Sequence, residues 1–264
     1  LAFGLALFLV LAVLLQGPIW GVARGADFYA IFPHNLLVGL FAPVFLFAVL
    51  ALTLGVRRFL REVKPATSDA PASGDAAAEA AHDALRLKYL DGGHGDGCHD
   101  EDDAYTLRRR RMHHFTFYGF LLCFTATSLA TVYHYLFGWS APYDLPSLPK
   151  LMGAIGGVSM VIGTVGLWRL NLRRDPLQGD TAQRPMDRGF IALLFLIALS
   201  GLLLWWARGS AAMGLMLCLH LGAVMALFAL MPYSKFAHGI FRGAALLRHA
   251  VEKRQPNPIG LGAD

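Results

Sequence analysis

The chain has 264 residues, of which 56% are hydrophobic and 16% charged, with a formal net charge of +5. An ordinary soluble domain carries about a quarter charged residues, so this composition excludes a water-soluble globule and makes the bilayer the solvent. The excess of Lys and Arg is no nucleic-acid footprint either, because these bases flank long apolar runs.

Six stretches free of Lys and Arg follow one another at 1–23, 35–56, 113–149, 151–168, 189–207 and 209–234. Each is close to or above the ~20 residues that cross a ~30 Å hydrocarbon core as helix. They predict an all-α fold, a polytopic membrane bundle of about six transmembrane helices. The chain then divides into helices one and two (1–56), a cytoplasmic linker with a glycine-rich loop (57–112), helices three to six (113–240) and a cytoplasmic tail (241–264). With alternating helices starting inside, twenty of the 23 Lys and Arg residues fall in inner segments and only Arg24, Lys150 and Arg208 fall outside. Because positive charge is retained on the cytoplasmic side, both termini are expected there, in a bacterial inner membrane.

The first residue is Leu1 rather than Met, already inside an apolar run, and the expectation is that a preceding N-terminal part belongs to the protein. A signal peptide is the competing reading, against which stands the lack of a basic segment and of a small-x-small cleavage site. After the second span, the Pro/Ala/Ser-rich tract 65–81 reads as a flexible linker with little to bury. The segment DGGHGDGCHDEDD holds His94, Cys98, His99 and several acids, but its irregular spacing makes a solvated or partner-contacting loop the simpler reading than a metal site. The run Arg108 to Arg111 anchors the third helix on the inner side. Helix four carries Gly153, Gly156, Gly157, Gly163 and Gly166, with Gly153 and Gly157 as a GxxxG pair; close helix packing is expected, and room for a flat cofactor is the alternative.

The ionisable residues of the spans are histidines, which in lipid face a cavity, a cofactor or each other. Helix three has His113 and His114 at its inner end and His134 near its outer end; helix six has His220 and His238; His34 starts helix two. If helix six is continuous, the eighteen residues from His220 to His238 make about five whole turns, placing both on one face about 27 Å apart. On helix three His113 comes within about 60° of the face of His134, whereas His114 lies nearly opposite. Helices three and six run antiparallel, so His113 meets His238 near the cytoplasm and His134 meets His220 towards the outside. Two facing pairs at two depths suit two b-type haems with bis-histidine ligation, a cytochrome b-like arrangement for electron transfer. His34 and His114 are the weaker candidates. The dense one-sided histidine clusters of a diiron membrane oxygenase are a different pattern.

Three stretches are more specific: RRRRMHHFTFYGFLLCFTATSLATVYHYLFGWSAPY (108–143), KYLDGGHGDGC (88–98) and MPYSKFAHGIFR (231–242). They resemble the membrane part of the tricarballylate/citrate-utilisation protein B family. PYSKFAH (232–238) is also similar to the end of the last helix of the respiratory nitrate reductase gamma subunit, a dihaem cytochrome b. The first resemblance implies an electron-transfer component, rather than a stand-alone enzyme. It would take electrons from a flavoprotein tricarballylate dehydrogenase through iron–sulfur clusters and haem to quinone. In that family the clusters belong to a ferredoxin-like N-terminal part. The three cysteines here, Cys98, Cys123 and Cys218, form no CxxC, so the clusters are expected on a preceding segment or a separate subunit. Two other classes stay open: a proton-coupled organic-acid transporter, and a haem-free anchor for a dehydrogenase.

Overall fold

The computed structural model describes residues 1–17, 27–63, 73–91, 95, 98–99, 105–174 and 180–255. Among them are eight α-helices: α1 (Ala2–Gln16), α2 (His34–Glu62), α3 (Gly74–Leu85), α4 (Arg108–Phe137), α5 (Leu148–Arg173), α6 (Arg184–Trp206), α7 (Met213–Leu230) and α8 (Phe236–Glu252). Strands β1 (Cys98–His99) and β2 (Tyr105–Thr106) form a two-residue antiparallel pairing at the entrance to α4.

Helices α2, α4, α5, α6 and α7 are long and apolar enough to cross a membrane, the sixth and seventh together with their adjoining 3-10 turns. The first apolar stretch differs from expectation: its helix ends at Gly17, whose φ of 71° places it in the left-handed region, and α1 has only 15 residues. At 1.5 Å per residue that is about 22 Å, short of the hydrocarbon thickness. The bundle has one end rich in Arg and Lys, where α2 and α5 finish and α4 and α6 begin. The opposite end carries exposed Tyr135, Phe137, Trp139, Trp205 and Trp206, the aromatic composition of a membrane interface.

Helices α4, α5, α6 and α7 pack in sequence, each against the next, and α7 is covered on its other sides by α1 and α2. Glycines set the two tightest approaches. A Cβ on Gly119 of α4 would lie 2.7 Å from the Met160 amide nitrogen, and one on Gly156 of α5 would lie 2.8 Å from the Gly119 carbonyl oxygen. Gly163 lies against Thr116 two turns along the same face. The GxxxG pair divides its work: Gly153 has only the Ala126 methyl nearby, at 3.8 Å, while Gly157 faces Leu202 of α6 at 3.1 Å. The register that matters is therefore 156/163. Backbone-to-backbone packing with α4 occupies this face, so the glycines of α5 make room for a helix and not for a flat cofactor. At the other flank Gly4 of α1 and Gly222 of α7 approach so closely that a Cβ on Gly222 would lie 2.8 Å from Leu5 Cα.

One further expectation changes at the basic end. The tract read as a flexible linker through residue 81 is helical from Gly74. Ser73 caps it, accepting from the Ala76 amide at 3.2 Å, Ala76 buries against Ala250 and Val251 of α8, and Ala80 is also buried. Alanine is the best helix former, and its small side chain does have something to bury when the opposing helix is also small-sided. The tail beyond 241 is likewise helical as far as Glu252. The join between α3 and α8 is ionic at its rim: Glu79 meets Arg254 at 2.6 Å and Lys253 at 3.5 Å, and Asp83 receives Lys88 at 3.2 Å. Tyr118 of α4 donates to the Leu85 carbonyl at 2.8 Å, and Arg110 to the Arg86 carbonyl at 2.9 Å, which fastens α3 to the bundle.

Two outcomes follow from this packing. Replacing Gly119 by Ala should lower the stability of the detergent-solubilised protein by about 1–3 kcal/mol, as overpacking does, whereas Gly153→Ala should be nearly neutral; thermal unfolding of the two variants compares them. The hydrogen bond from Arg254 holds the Glu79 carboxyl below its ordinary 4.5. Burial works to raise Asp83, but its bonds to Lys88 and His82 outweigh that and hold it below its ordinary 3.8. Depressed folded values mean a stabilisation present above the ordinary values and lost as pH falls through the lower folded ones. The protection of α3 amides, taken relative to the intrinsic exchange rate at each pH, should therefore fall on acidification through the carboxylate range, and Glu79→Gln should flatten that response; protection in α3 that is the same at pH 3 and pH 7 would refute it.

Candidate functional site

The bundle answers nearly all its intramembrane hydroxyls locally. Thr53, Thr116, Thr127, Ser128, Thr131 and Thr164 each donate to the carbonyl four residues earlier, at 2.7 to 3.2 Å. An imidazole has two nitrogens and cannot be satisfied in that way on both. Where each histidine's partners lie is therefore the structural question.

His220 stands seven residues into α7 from Met213, about 10 Å along the helix, among apolar neighbours. It packs against α6: its Nδ1 lies 3.1 Å from Ser200 Oγ, and a Cβ on Gly201 would come within 3.0 Å of its Cε1. The ring thus sits in a recess that exists because residue 201 has no side chain. It is half-buried, so part of its surface remains uncovered by protein.

His134 stands one turn before the end of α4, at the aromatic end. Its ring stacks on that of His34, the first residue of α2, with centroids 3.9 Å apart and planes 27° from parallel. His34 Nε2 is 3.1 Å from the Tyr135 hydroxyl, and Tyr29 adds a ring 5.3 Å from His34. Among the described residues His134 Nδ1 is buried without a hydrogen-bond partner. His34, the weaker candidate in the sequence, is thus a direct neighbour of His134, through a loop-to-helix approach that no helical periodicity encodes.

At the basic end the one-helix geometry for His220 and His238 fails. α7 stops at Leu230, a 3-10 turn covers Met231–Tyr233, and α8 begins only at Phe236. Pro232 explains this, since it lacks the amide hydrogen that a continuous helix needs and its ring crowds the preceding turn. The 100° count between the two residues therefore has no meaning across the break, and His238 is exposed on α8. His238 nonetheless remains on a neighbour of α4, because Phe236 packs edge-on against Phe120 with centroids 5.3 Å apart. His113 is half-buried on α4 and its Nδ1 donates to the Arg109 carbonyl at 3.0 Å; His238 Nδ1 donates likewise to the Lys235 carbonyl. His114 stacks on Tyr118, with centroids 5.8 Å apart, on the α3 side of the helix. His94 lies outside the described residues.

Rings bridge the space between α4, α2 and α7: Phe45 of α2 lies 6.5 Å from Phe124 and 5.4 Å from Phe228. Among the described residues no three His, Cys, Asp or Glu side chains converge on one point; the histidines come singly or as a pair. The donor set is thus neutral imidazole at two depths, with an aromatic lining. It fits a group that takes one imidazole on each face, such as haem, and the unpartnered Nδ1 of His134 and the Gly201 recess are the features that such a group would explain.

Comparison with known proteins supplies the family. The chain is 53% identical to Citrate utilization protein B of Escherichia coli over 264 residues, all of this chain and 69% of that protein. No solved structure matches it. The family model of Citrate utilization protein B matches residues 1–259, and the chain belongs to that family.

Proposed function

We propose that this chain is the membrane electron-transfer component of a tricarboxylate-oxidising system. In this reading it receives electrons at its basic, cytoplasmic end from a flavoprotein dehydrogenase acting on tricarballylate or a related acid. They arrive by way of iron–sulfur clusters carried outside residues 1–264 and leave to quinone in the inner membrane. The observation that carries the reading is the set of imidazoles in an otherwise apolar bundle, His34, His113, His134 and His220 half-buried and His134 with a buried ring nitrogen that no group among the described residues answers. An ionisable ring kept at such a place is costly unless it serves a ligand.

The residues that would hold two b-type haems are His134 and His220 towards the aromatic end and His113 and His238 towards the basic end, with His34 the second imidazole available beside His134. When bound, such haem would supply one-electron transfer, with these imidazoles as the residues that would hold its iron. The chain's own contribution is to orient the donors. His113 and His238 each give their Nδ1 proton to a backbone carbonyl three or four residues earlier, which leaves Nε2 as the nitrogen with the lone pair. The rings of Phe45, Phe120, Phe124 and Phe228 keep water from the space between α2, α4 and α7. At the basic end, Lys235 pairs with Asp187 at 3.1 Å and Arg58 with Glu62 at 2.7 Å, so the acids in the described helix ends there are matched by bases. That leaves the spans without the carboxylate relay that a proton-coupled transporter would use.

A pyridine haemochrome assay on the purified protein tests the reading and should give a b-type spectrum. Well-expressed protein with no such absorbance would reject it. His220→Ala should remove about half of the haem absorbance, while His249→Ala, an exposed position on α8, should leave the spectrum as it is.

A further inference from the structure

We propose that Ser200 is a positioning residue for His220, accepting the Nδ1 proton of its imidazole so that Nε2 carries the lone pair offered to iron. The proposal deepens the haem reading above and rests on it.

The argument is one of proton counting. Ser200 lies on α6 with 1% of its surface exposed, so its hydroxyl has to be satisfied within the protein. Two atoms are in reach of Oγ: the Ile197 carbonyl oxygen at 3.2 Å and His220 Nδ1 at 3.1 Å. The hydroxyl has one proton and two lone pairs, and a carbonyl oxygen can only accept. Giving the proton to Ile197 leaves Oγ a lone pair for His220, and Nδ1 must then be the protonated nitrogen. The reverse assignment, with the hydroxyl donating to Nδ1, would set two oxygens facing each other at 3.2 Å with no proton between them. A neutral imidazole carries a single N–H, so with Nδ1 protonated the lone pair is on Nε2.

Gly201 fixes the other coordinate. Its missing side chain lets the ring lie against α6, with the recess closest at Cε1 (3.0 Å), then Nδ1 (3.4 Å), then Nε2 (3.8 Å). The protonated edge is therefore the one held by α6, and Nε2 is the ring nitrogen set farther from it. His113 and His238 reach the same tautomer through backbone carbonyls of their own helices. At His220 the acceptors come from a neighbouring helix, where the Ile197 carbonyl also hydrogen-bonds the imidazole beside the Ser200 hydroxyl.

The consequence is electronic. A ligating imidazole whose N–H is accepted by an oxygen is more basic, and a more basic ligand favours the oxidised iron. Redox titration of the purified full chain, followed by the haem absorbance, compares wild type with Ser200→Ala and Ser200→Thr. Ser200→Ala should retain haem and raise the midpoint potential of one haem while the other stays put, and Ser200→Thr, which restores the hydroxyl, should bring it back. If the alanine variant does not hold haem, Ser200→Cys, which keeps the volume but accepts only weakly, is titrated under the same criteria. Unshifted potentials, or an equal shift of both haems, would overturn the role of Ser200 while leaving the haem reading intact. A wild-type protein without haem would remove the haem reading itself.

Discussion

Inside hydrocarbon each polar group must find its partner within the chain, and this requirement organises the protein. The hydroxyls of the spans meet it by turning back on their own helices, a solution that is local and places no demand on the fold. Ser159 is one exception, reaching from α5 to the Phe115 carbonyl of α4 at 2.8 Å and so tying those helices where their glycines already bring the backbones together. Ser200 is another, since it answers a group on α7 as well as one on its own helix. The imidazoles have no local solution for both nitrogens. The helices must therefore be arranged around them, or a ligand must supply what the chain does not.

Helix α7 is where these demands meet. It is the most apolar of the long helices toward the bundle interior, with nine buried residues, and it is enclosed by α1, α2 and α6. Gly222 lets α1 approach to backbone contact two residues from His220, and Cys218 and Phe8 fill the same layer. The recess for His220 is thus made by glycines on two flanks of α7, one for the ring itself and one for the helix that closes the layer. Pro232 then ends α7 and turns the chain out to α8, which binds α3 through alanines and ion pairs and forms a polar platform at the basic end.

The sequence made the helical bundle and the gathering of its basic residues at helix ends legible, because these depend on composition and on one helix at a time. It did not reveal which glycines of α5 meet α4. Gly153 and Gly157 satisfy the GxxxG spacing, yet the 156/163 register wins because Gly119 and Thr116 on the opposite helix decide it. The alanine-rich tract before α4 had the composition of a linker, and only the small side chains of α8 turn part of it into a docked helix. The break at Pro232 was readable in principle, since proline in a helix interior is a stop signal; the count across it assumed continuity and so placed His238 on a face that does not exist. The His34–His134 stack joins residues a hundred positions apart, and periodicity carries no information about it.

That stack carries the last step of the argument about function. Two neutral rings 3.9 Å apart gain only modest stacking energy, and one of them keeps a buried nitrogen unanswered. Leaving such a group unsatisfied costs about 1–3 kcal/mol, and replacing His134 by a phenylalanine would avoid the cost at similar volume. Most hydroxyls of the spans are placed economically, each finding a carbonyl at hydrogen-bonding distance, although Ser147 and Arg184 at the starts of α5 and α6 also keep a buried polar atom without a partner among the described residues. His134, whose Nδ1 has no partner among the described residues although its neighbour His34 meets Tyr135, and His220, with one edge tied to Ser200, are imidazoles that break this economy inside a membrane bundle. An anchor that only docks a partner has no need of such nitrogens, whereas an electron carrier needs them at more than one depth. The economy of the remaining spans is what makes these histidines informative.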